Sequence, residues 1–178
     1  MISVEFVGKL VKNLVKDMVK INREKILNFL IVIIIFFFDR ITKWMMINLN
    51  DLYGEKKYSL TSFINLELIW NNGIAFGLLS FDKNIYYNSL TLIIIIITLV
   101  IFFMMINSYG IQKYGFIMIL GGSMGNIFDR LVYSSVPDFI DIHFNNFHWF
   151  IFNVADIFIS LGVFILIYSE LFKNKIYD

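Results

Sequence analysis

The chain contains no cysteine, which excludes disulfide bonds, thiolate metal sites and a cysteine nucleophile. Its two histidines, His143 and His148, do not form the HExxH pattern of many zinc hydrolases, and no nucleotide-binding loop is present. A net charge of +1 gives no basic excess that would indicate binding to nucleic acid. Charged residues make up only 16% of the chain, against roughly 25% in average soluble domains. The composition therefore points away from a soluble domain.

Apolar residues make up 58% of the chain and are concentrated in four long stretches. A helix needs about 20 mostly apolar residues to cross the hydrocarbon core of a membrane. The four stretches cover residues 26–47, 85–106, 114–133 and 152–172. We therefore predict an all-α integral membrane protein, in which residues 26–178 form a four-transmembrane-helix bundle.

The distribution of lysine and arginine indicates how the chain crosses the membrane, because cytoplasmic loops carry an excess of both. Basic residues precede the first span, occur in the short link that holds Lys113, and follow the last span. We therefore predict that both termini are cytoplasmic and that residues 48–84 and 134–151 are extracytoplasmic.

Two segments outside the spans have patterns of their own. In residues 1–25, lysines lie opposite apolar residues at helical spacing, which predicts a basic amphipathic helix on the cytoplasmic surface of the membrane. In residues 48–84, NLELIW followed by Asn-Asn-Gly suggests a strand and a turn. This pattern predicts a small β-rich extracytoplasmic cap over the bundle.

Ionisable residues are unfavourable within a membrane and therefore mark candidate functional positions. Asp39 and Lys43 lie four residues apart, on one face of the first span, and can form an ion pair. Arg130 ends the third span and Asp156 begins the fourth. The predicted topology places all four near the outer surface of the membrane. This common depth favours a shared site over unrelated snorkelling residues.

The third span contains GGSMGNIFDR, whose glycines allow neighbouring helices to approach closely. Asn126 and Arg130 lie four residues apart and share a helical face. Asn126 can form hydrogen bonds across helices, and Arg130 can bind a carboxylate or a peptide carbonyl. Asp129 faces another way, where we expect a solvated or ion-paired acid at the interface.

Two acids, Asp138 and Asp156, reach the outer membrane face from a loop and from a helix start. Two neighbouring carboxyl groups do not both ionise readily, so one keeps its proton. The charged one can deprotonate water while the neutral one hydrogen-bonds a scissile carbonyl. This pair predicts aspartic-protease chemistry without a metal or cofactor. Asp141, three residues after Asp138, is expected to be an interfacial acid with a structural role.

Two other functions remain open on the residues alone. A non-enzymatic bundle could relay protons or cations through its acids, although such a relay predicts acids throughout the membrane depth. A rhomboid-like or Ser–Lys protease would need a serine near Lys43, and Ser123 is expected to lie deeper. Serine reagents would inactivate that second enzyme and leave a diaspartyl one active.

Five short blocks occur in order: DRITK (39–43), NNGIAFG (71–77), GNIFDR (125–130), VPDF (136–139) and FNVAD (152–156). Together they resemble the lipoprotein signal peptidases, also called signal peptidase II. The resemblance implies a membrane aspartic endopeptidase that cuts prolipoproteins before a lipid-modified cysteine. It also implies a bacterial cytoplasmic (inner) membrane location and contact with membrane lipids. No cofactor, nucleic acid or obligate protein partner is expected.

The resemblance makes Asp138 and Asp156 the catalytic pair. It assigns substrate-binding or supporting roles to seven further residues: Asp39, Lys43, Asn71, Gly73, Asn126, Arg130 and Asn153. Three features depart from the family pattern. Ser134 and Ser135 stand where a glycine is frequent, Pro137 replaces an aliphatic residue, and the basic N-terminal helix is longer than the family requires. Because proline lacks an N–H and restricts its predecessor, the backbone before Asp138 is the position to examine.

Overall fold

The computed structural model of the chain describes residues 4–54, 57–73, 84–144 and 147–173. Within these ranges the helices α1 to α4 are, in order, Val4–Tyr53, Asn84–Asn107, Gly110–Tyr133 and Val154–Lys173. The strands β1 to β4 are Tyr58–Thr61, Ile64–Asn71, Val136–Phe144 and Phe147–Phe152. They form one antiparallel sheet in the order β1-β2-β3-β4. The described chain is therefore a helical bundle with a small sheet, which joins the C-terminal ends of α1 and α3 to the start of α4.

Two of the described helices are long and apolar enough to cross a membrane, over Tyr87–Asn107 and Val154–Phe172. The helices α1 and α3 cover the other two predicted spans but carry charged residues within them. Their outward faces are nevertheless apolar, since Ile34 of α1 is 64% exposed and Leu131 of α3 is 66% exposed. Apolar side chains outside and charged ones inside are the arrangement expected of a bundle surrounded by lipid. The four-span topology stays a prediction.

The helix α1 is 50 residues long and runs without a break through residues 25 and 26. The segment predicted as a separate surface helix is thus, from Val4 onward, the first part of α1. A helix of this length extends about 75 Å, more than twice the thickness of a hydrocarbon core. Except for Lys12, the side chains of residues 4–22 lie outside the described residues. The predicted contact of that segment with the membrane surface stays a prediction.

The segment 134–151, expected to be a loop, instead holds the hairpin of β3 and β4. Asp138 therefore lies on a strand, opposite Ile69 of β2. The segment is rich in Val, Ile, Phe and Trp, which favour extended backbone once a neighbouring strand is present. His143 and His148 are paired across this hairpin. The predicted NLELIW strand is confirmed as part of β2.

Pro137 lies in β3, opposite Trp70 of β2. The pairing of β3 with β4 begins only at Ile140, so among the described residues Pro137 has a neighbouring strand on one side. Such an edge position is where a sheet accepts proline. Just before it, Ser134 ends α3 with φ 54°, a left-handed conformation that glycine adopts more readily. The serine thus forms this turn at a cost of about 1–2 kcal/mol.

Two apolar clusters hold the bundle and the sheet together. The first lies among α1, α2 and α3 and consists of Val32, Ile35, Met105, Phe116, Ile117 and Leu120. The second consists of Met46, Phe139 and Val154, from α1, β3 and the first turn of α4. Phe139 follows Asp138 directly, and Val154 lies two residues before Asp156. This second cluster therefore fixes β3 and the start of α4 against α1.

The glycines of α3 allow close contact with two other helices. A Cβ atom at Gly122 would lie 2.5 Å from the backbone oxygen of Ala155 in α4. One at Gly125 would lie 2.5 Å from Oδ2 of Asp39 in α1. Neither position has room for a side chain, which confirms the predicted close approach. The polar residues of α1, α3 and α4 are thereby brought within hydrogen-bonding distance.

Candidate active site

A cavity of about 230 Å³ lies between α3, α4 and the sheet. Six of the nine residues predicted for the site line it: Asn71, Asn126, Arg130, Asp138, Asn153 and Asp156. Ile94 of α2 and Ile159 of α4 add apolar surface to its wall. The other three predicted residues lie beside this cavity. Lys43 and Gly73 bond to residues that line it, and Asp39 bonds to Lys43 and to the Ala155 N–H.

Asp138 is buried and held through both carboxylate oxygens. Its Oδ1 accepts a hydrogen bond of 2.5 Å from Nδ2 of Asn153, and its Oδ2 accepts one of 2.8 Å from Nδ2 of Asn71. Asn71 ends β2 and Asn153 immediately precedes α4. The carboxyl group is therefore positioned by two amides from separate elements.

Asp156 is held by the start of its own helix and by α3. Its Oδ2 accepts a hydrogen bond of 3.2 Å from the Asn153 backbone N–H, and Oδ1 of Asn153 accepts one of 3.1 Å from the Asp156 N–H. These reciprocal bonds form a capping box at the N-terminus of α4. Oδ1 of Asp156 accepts a further bond of 2.8 Å from Nδ2 of Asn126. Asn153 thus bonds both acids at once.

Burial, followed by the nearby charge of Asp156, raises the pKa of Asp138 from its ordinary 3.8 to about 6. Hydrogen bonds from Asn71 and Asn153 oppose this increase without cancelling it. The carboxyl group can therefore carry a proton near neutral pH, which a diaspartyl mechanism requires of one partner.

This raised pKa predicts a pH-dependent stability. Because folded Asp138 binds its proton more tightly than the unfolded chain does, its ionisation disfavours the folded state. The free energy of unfolding should fall as the pH rises from about 4 to about 6, by at most about 3 kcal/mol. Asp138→Asn should flatten this slope, whatever constant change in stability it adds. Thermal unfolding in detergent across that pH range measures it, and equal slopes for both proteins would contradict it.

Lys43 connects the acids of α1 and α3 to the active-site amides. It is 1% exposed, and its Nζ donates to Oδ1 of Asn126 at 2.8 Å and to Oδ2 of Asp129 at 2.6 Å. It also pairs with Oδ2 of Asp39 at 3.0 Å, which confirms the predicted ion pair. Since Lys43 engages the Asn126 oxygen, the Asn126 NH₂ group is directed to Asp156. Three acceptors use all three ammonium hydrogens, so Lys43 is not available as the base of Ser123.

Arg40 and Asp129 complete this charged cluster and were not predicted as site residues. Arg40 donates to both carboxylate oxygens of Asp129 and, at 2.7 Å, to Oδ2 of Asp39. Asp129 is fully buried, so it is ion-paired as expected but not solvated. Asp129 faces α1, where Arg40 and Lys43 compensate its charge. Oδ1 of Asp39 accepts a bond of 2.9 Å from the Ala155 N–H, in the first turn of α4.

Arg130 secures the segment that follows β2. Its Nη2 donates to the Gly73 carbonyl oxygen at 2.8 Å, as the predicted affinity for a peptide carbonyl suggested. The Gly73 N–H donates to Oδ1 of Asn71 at 2.8 Å, which leaves the Asn71 NH₂ group facing Asp138. Residues 74–77, the remainder of the NNGIAFG block, lie outside the described residues.

Comparison with known proteins matches this site to a peptidase family. The family model described as signal peptidase (SPase) II, peptidase family A8, matches residues 31–172. A lipoprotein signal peptidase of Pelagibacter ubique (strain HTCC1062) is 52% identical over 149 residues, covering 84% of this chain and 90% of that protein. One of Francisella tularensis subsp. mediasiatica (strain FSC147) is 39% identical over 159 residues, covering 86% and 96%.

Two solved structures share the fold, and both are described as bacterial membrane enzymes. One has a TM-score of 0.63 at 24% identity and covers 81% of this chain and 87% of its own. The other has a TM-score of 0.61 at 25% identity and covers 81% and 92%. The family match and the curated relatives confirm the resemblance read from the five sequence blocks. The chain therefore belongs to the signal peptidase II family.

Proposed function

We propose that this protein removes signal peptides from prolipoproteins by cutting before a diacylglyceryl-modified cysteine, with Asp138 and Asp156 as the catalytic pair. The observation that carries the assignment is that both acids line one cavity and both accept hydrogen bonds from Asn153, Asp138 from its side chain and Asp156 from its backbone N–H. Burial and mutual repulsion favour one proton between them. The curated relatives named lipoprotein signal peptidase support the choice of substrate.

The proposed reaction needs one acid of the pair ionised and the other protonated. The ionised carboxylate takes a proton from a water molecule, and the resulting hydroxide attacks the scissile carbonyl carbon. The neutral carboxyl hydrogen-bonds the carbonyl oxygen and stabilises the developing negative charge. As the tetrahedral intermediate collapses, the C–N bond breaks and the pair returns a proton to the leaving amine. The amides of Asn71, Asn126 and Asn153 hold the acids in place throughout.

The proposed substrate fits a site at the membrane surface. A diacylglyceryl-cysteine keeps its acyl chains in the bilayer, so the scissile bond lies near the headgroups. The sheet at one end of the bundle and the apolar cavity wall at Ile94 and Ile159 support such a depth. We infer four spans with both termini cytoplasmic and the sheet outside, in the bacterial inner membrane. Basic residues near the opposite helix ends, Lys113 among them, support that orientation.

Asp39, Lys43 and Arg130 are proposed as supporting residues, since each reaches the acids through an asparagine or a backbone group. A relay of protons or cations is disfavoured, because α2 carries no charged residue along its length. A path through the membrane would need acids at successive depths.

Dependence on the lipid modification tests the proposal. The purified protein in liposomes should cleave a lipidated prolipoprotein directly before the modified cysteine, as read by mass spectrometry of both products. The same precursor with serine in place of its cysteine cannot be lipidated and should be cleaved at least about tenfold more slowly, because its lipid contacts are lost. Serine-directed inhibitors should have no effect. Equal cleavage of both precursors, or cleavage elsewhere, would overturn the assignment.

A further inference from the structure

The hairpin of β3 and β4 carries a second polar cluster, formed by Asp141, His143 and His148, outside the active-site cavity. Asp141 and His143 lie two residues apart on β3 and so point to the same face of the sheet. His148 of β4 is paired with His143, and their rings stack with centroids 5.3 Å apart. One ligand atom from each of the three residues lies within 4.8 Å of the others.

The carboxylate at the centre of this cluster is fixed in position. Asp141 is fully buried, and Nδ1 of His148 lies 2.9 Å from each of its carboxylate oxygens. Asn65 of β2 donates to Oδ2 of Asp141 at 3.2 Å, and its Nδ2 lies 3.0 Å from Nδ1 of His143. Asn65 is itself buried. Asn65 therefore holds the side chains of Asp141 and His143 next to each other.

We propose that Asp141, His143 and His148 bind a divalent transition-metal ion, with Zn²⁺ as the preferred ion. Two imidazoles and one carboxylate are ligands that zinc commonly takes. Bonds of about 2.0–2.1 Å in a tetrahedral site place ligand atoms roughly 3.3–3.5 Å apart. The separations here, from 2.9 Å to at most 4.8 Å, lie on both sides of that value. The His148 side chain is 46% exposed, so water can complete the coordination.

Lys57 is the group that competes with the metal ion. Its Nζ lies 3.1 Å from Oδ2 of Asp141 and 3.6 Å from Glu67. Its side chain is half-exposed, so it can turn toward Glu67 and leave Asp141 to a stronger cation. An ammonium group carries one positive charge and makes no coordinate bond. A divalent metal ion carries two charges and also forms coordinate bonds with the carboxylate. Removing Lys57 should therefore tighten metal binding.

The bound ion would act as a structural clamp. It joins β3 to β4, while Asn65 extends the connection to β2. Asp138 lies three residues before Asp141 on the same strand, so the clamp would stiffen the strand that carries a catalytic acid. The metal would take no part in peptide hydrolysis, because none of its ligands lines the active-site cavity. The proposed metal site would bind its ion whatever substrate the active site takes.

The sequence makes the test unusually direct. The chain has two histidines and no cysteine, so a histidine–metal signal comes from this cluster if the purification tag contains no histidine. Titration calorimetry of metal-stripped protein in detergent should show one Zn²⁺ per chain. Co²⁺, used alone as a second probe, should give the visible absorption of a tetrahedral site. Zn²⁺ should also raise the thermal unfolding midpoint of the wild-type protein.

Variants locate the ion. His143→Gln, His148→Gln and Asp141→Asn should each weaken Zn²⁺ binding at least about tenfold and remove the thermal shift. Lys57→Gln should strengthen binding, and Asp51→Asn, at an exposed acid of α1, should leave it unchanged. Absence of saturable binding to the wild-type protein, or unchanged binding in His143→Gln/His148→Gln, would overturn the proposal. If the double variant does not fold, the single variant His148→Gln tests the proposal. The His148 side chain is half-exposed, so its replacement leaves no cavity in the core.

Discussion

Asp138→Asn and Asp156→Asn, made separately, should each lower the turnover of a lipidated prolipoprotein by about 10³-fold or more. Both substitutions keep the shape of the side chain and remove its titratable carboxyl group. An amide can neither take a proton from water nor return one to the leaving amine. Because the proposed mechanism uses the two acids as a unit, the double variant should be little worse than either single variant. Such non-additivity would not arise from two independent structural acids.

The local hydrogen bonds indicate how to separate lost chemistry from lost structure. Asp138 accepts bonds from two amide NH₂ groups, so an asparagine there must turn one donor toward another. Each variant therefore needs its own check of folding by size-exclusion chromatography and thermal unfolding in detergent. Asp51→Asn is the matched control, since Asp51 is an exposed acid near the C-terminal end of α1. A folded single variant with turnover within tenfold of wild type would remove that acid from the catalytic pair.

The sequence predicted that Asp138 and Asp156 belong to one site, and both line the same cavity. For Asp156 the sequence also carries a strong local signal. Asp156 stands at the start of a long apolar run. It is also the third residue after Asn153, which gives the Asn-x-x-Asp pattern of a capping box. That pattern was available in FNVAD and would have predicted the bond between Asn153 and Asp156 directly. Asn153 also bonds to Asp138, and the sequence could not predict this bond. The two residues belong to different elements, which are brought together only by tertiary packing.

Long-range pairing accounts for most of what the sequence did not predict. Arg40 and Asp129 are separated by 89 positions, and neither spacing nor composition indicates that their helices meet at this point. The segment that forms the hairpin of β3 and β4 was expected to be a loop. A short strand is stabilised by its neighbouring strands more than by its own residues, so its sequence alone is a weak signal. The pairing of His143 with His148 was hidden for the same reason. Five positions apart along the chain, they become neighbours only across the hairpin.

The buried charged cluster gives the second large effect. Lys43→Met should lower the free energy of unfolding by about 3–5 kcal/mol, since it leaves two buried carboxylates with one guanidinium. It should also lower turnover, because Asn126 loses the partner that directs its NH₂ group to Asp156. Unfolding in mixed micelles and the prolipoprotein assay measure the two effects. Lys25→Met is the control, as Lys25 is an exposed cation on the same helix.

A second substitution separates the two roles of Lys43. In Lys43→Met/Asp129→Asn, one acid and one base remain in the cluster, Asp39 and Arg40, so its charges balance again. Stability should recover by at least half of what the single variant loses, because no uncompensated charge stays buried. Turnover should stay low, since neither substitution gives Asn126 a cationic donor. Recovery of both would mean that Lys43 serves charge balance alone, and a stable Lys43→Met protein would contradict the buried ion pairs themselves.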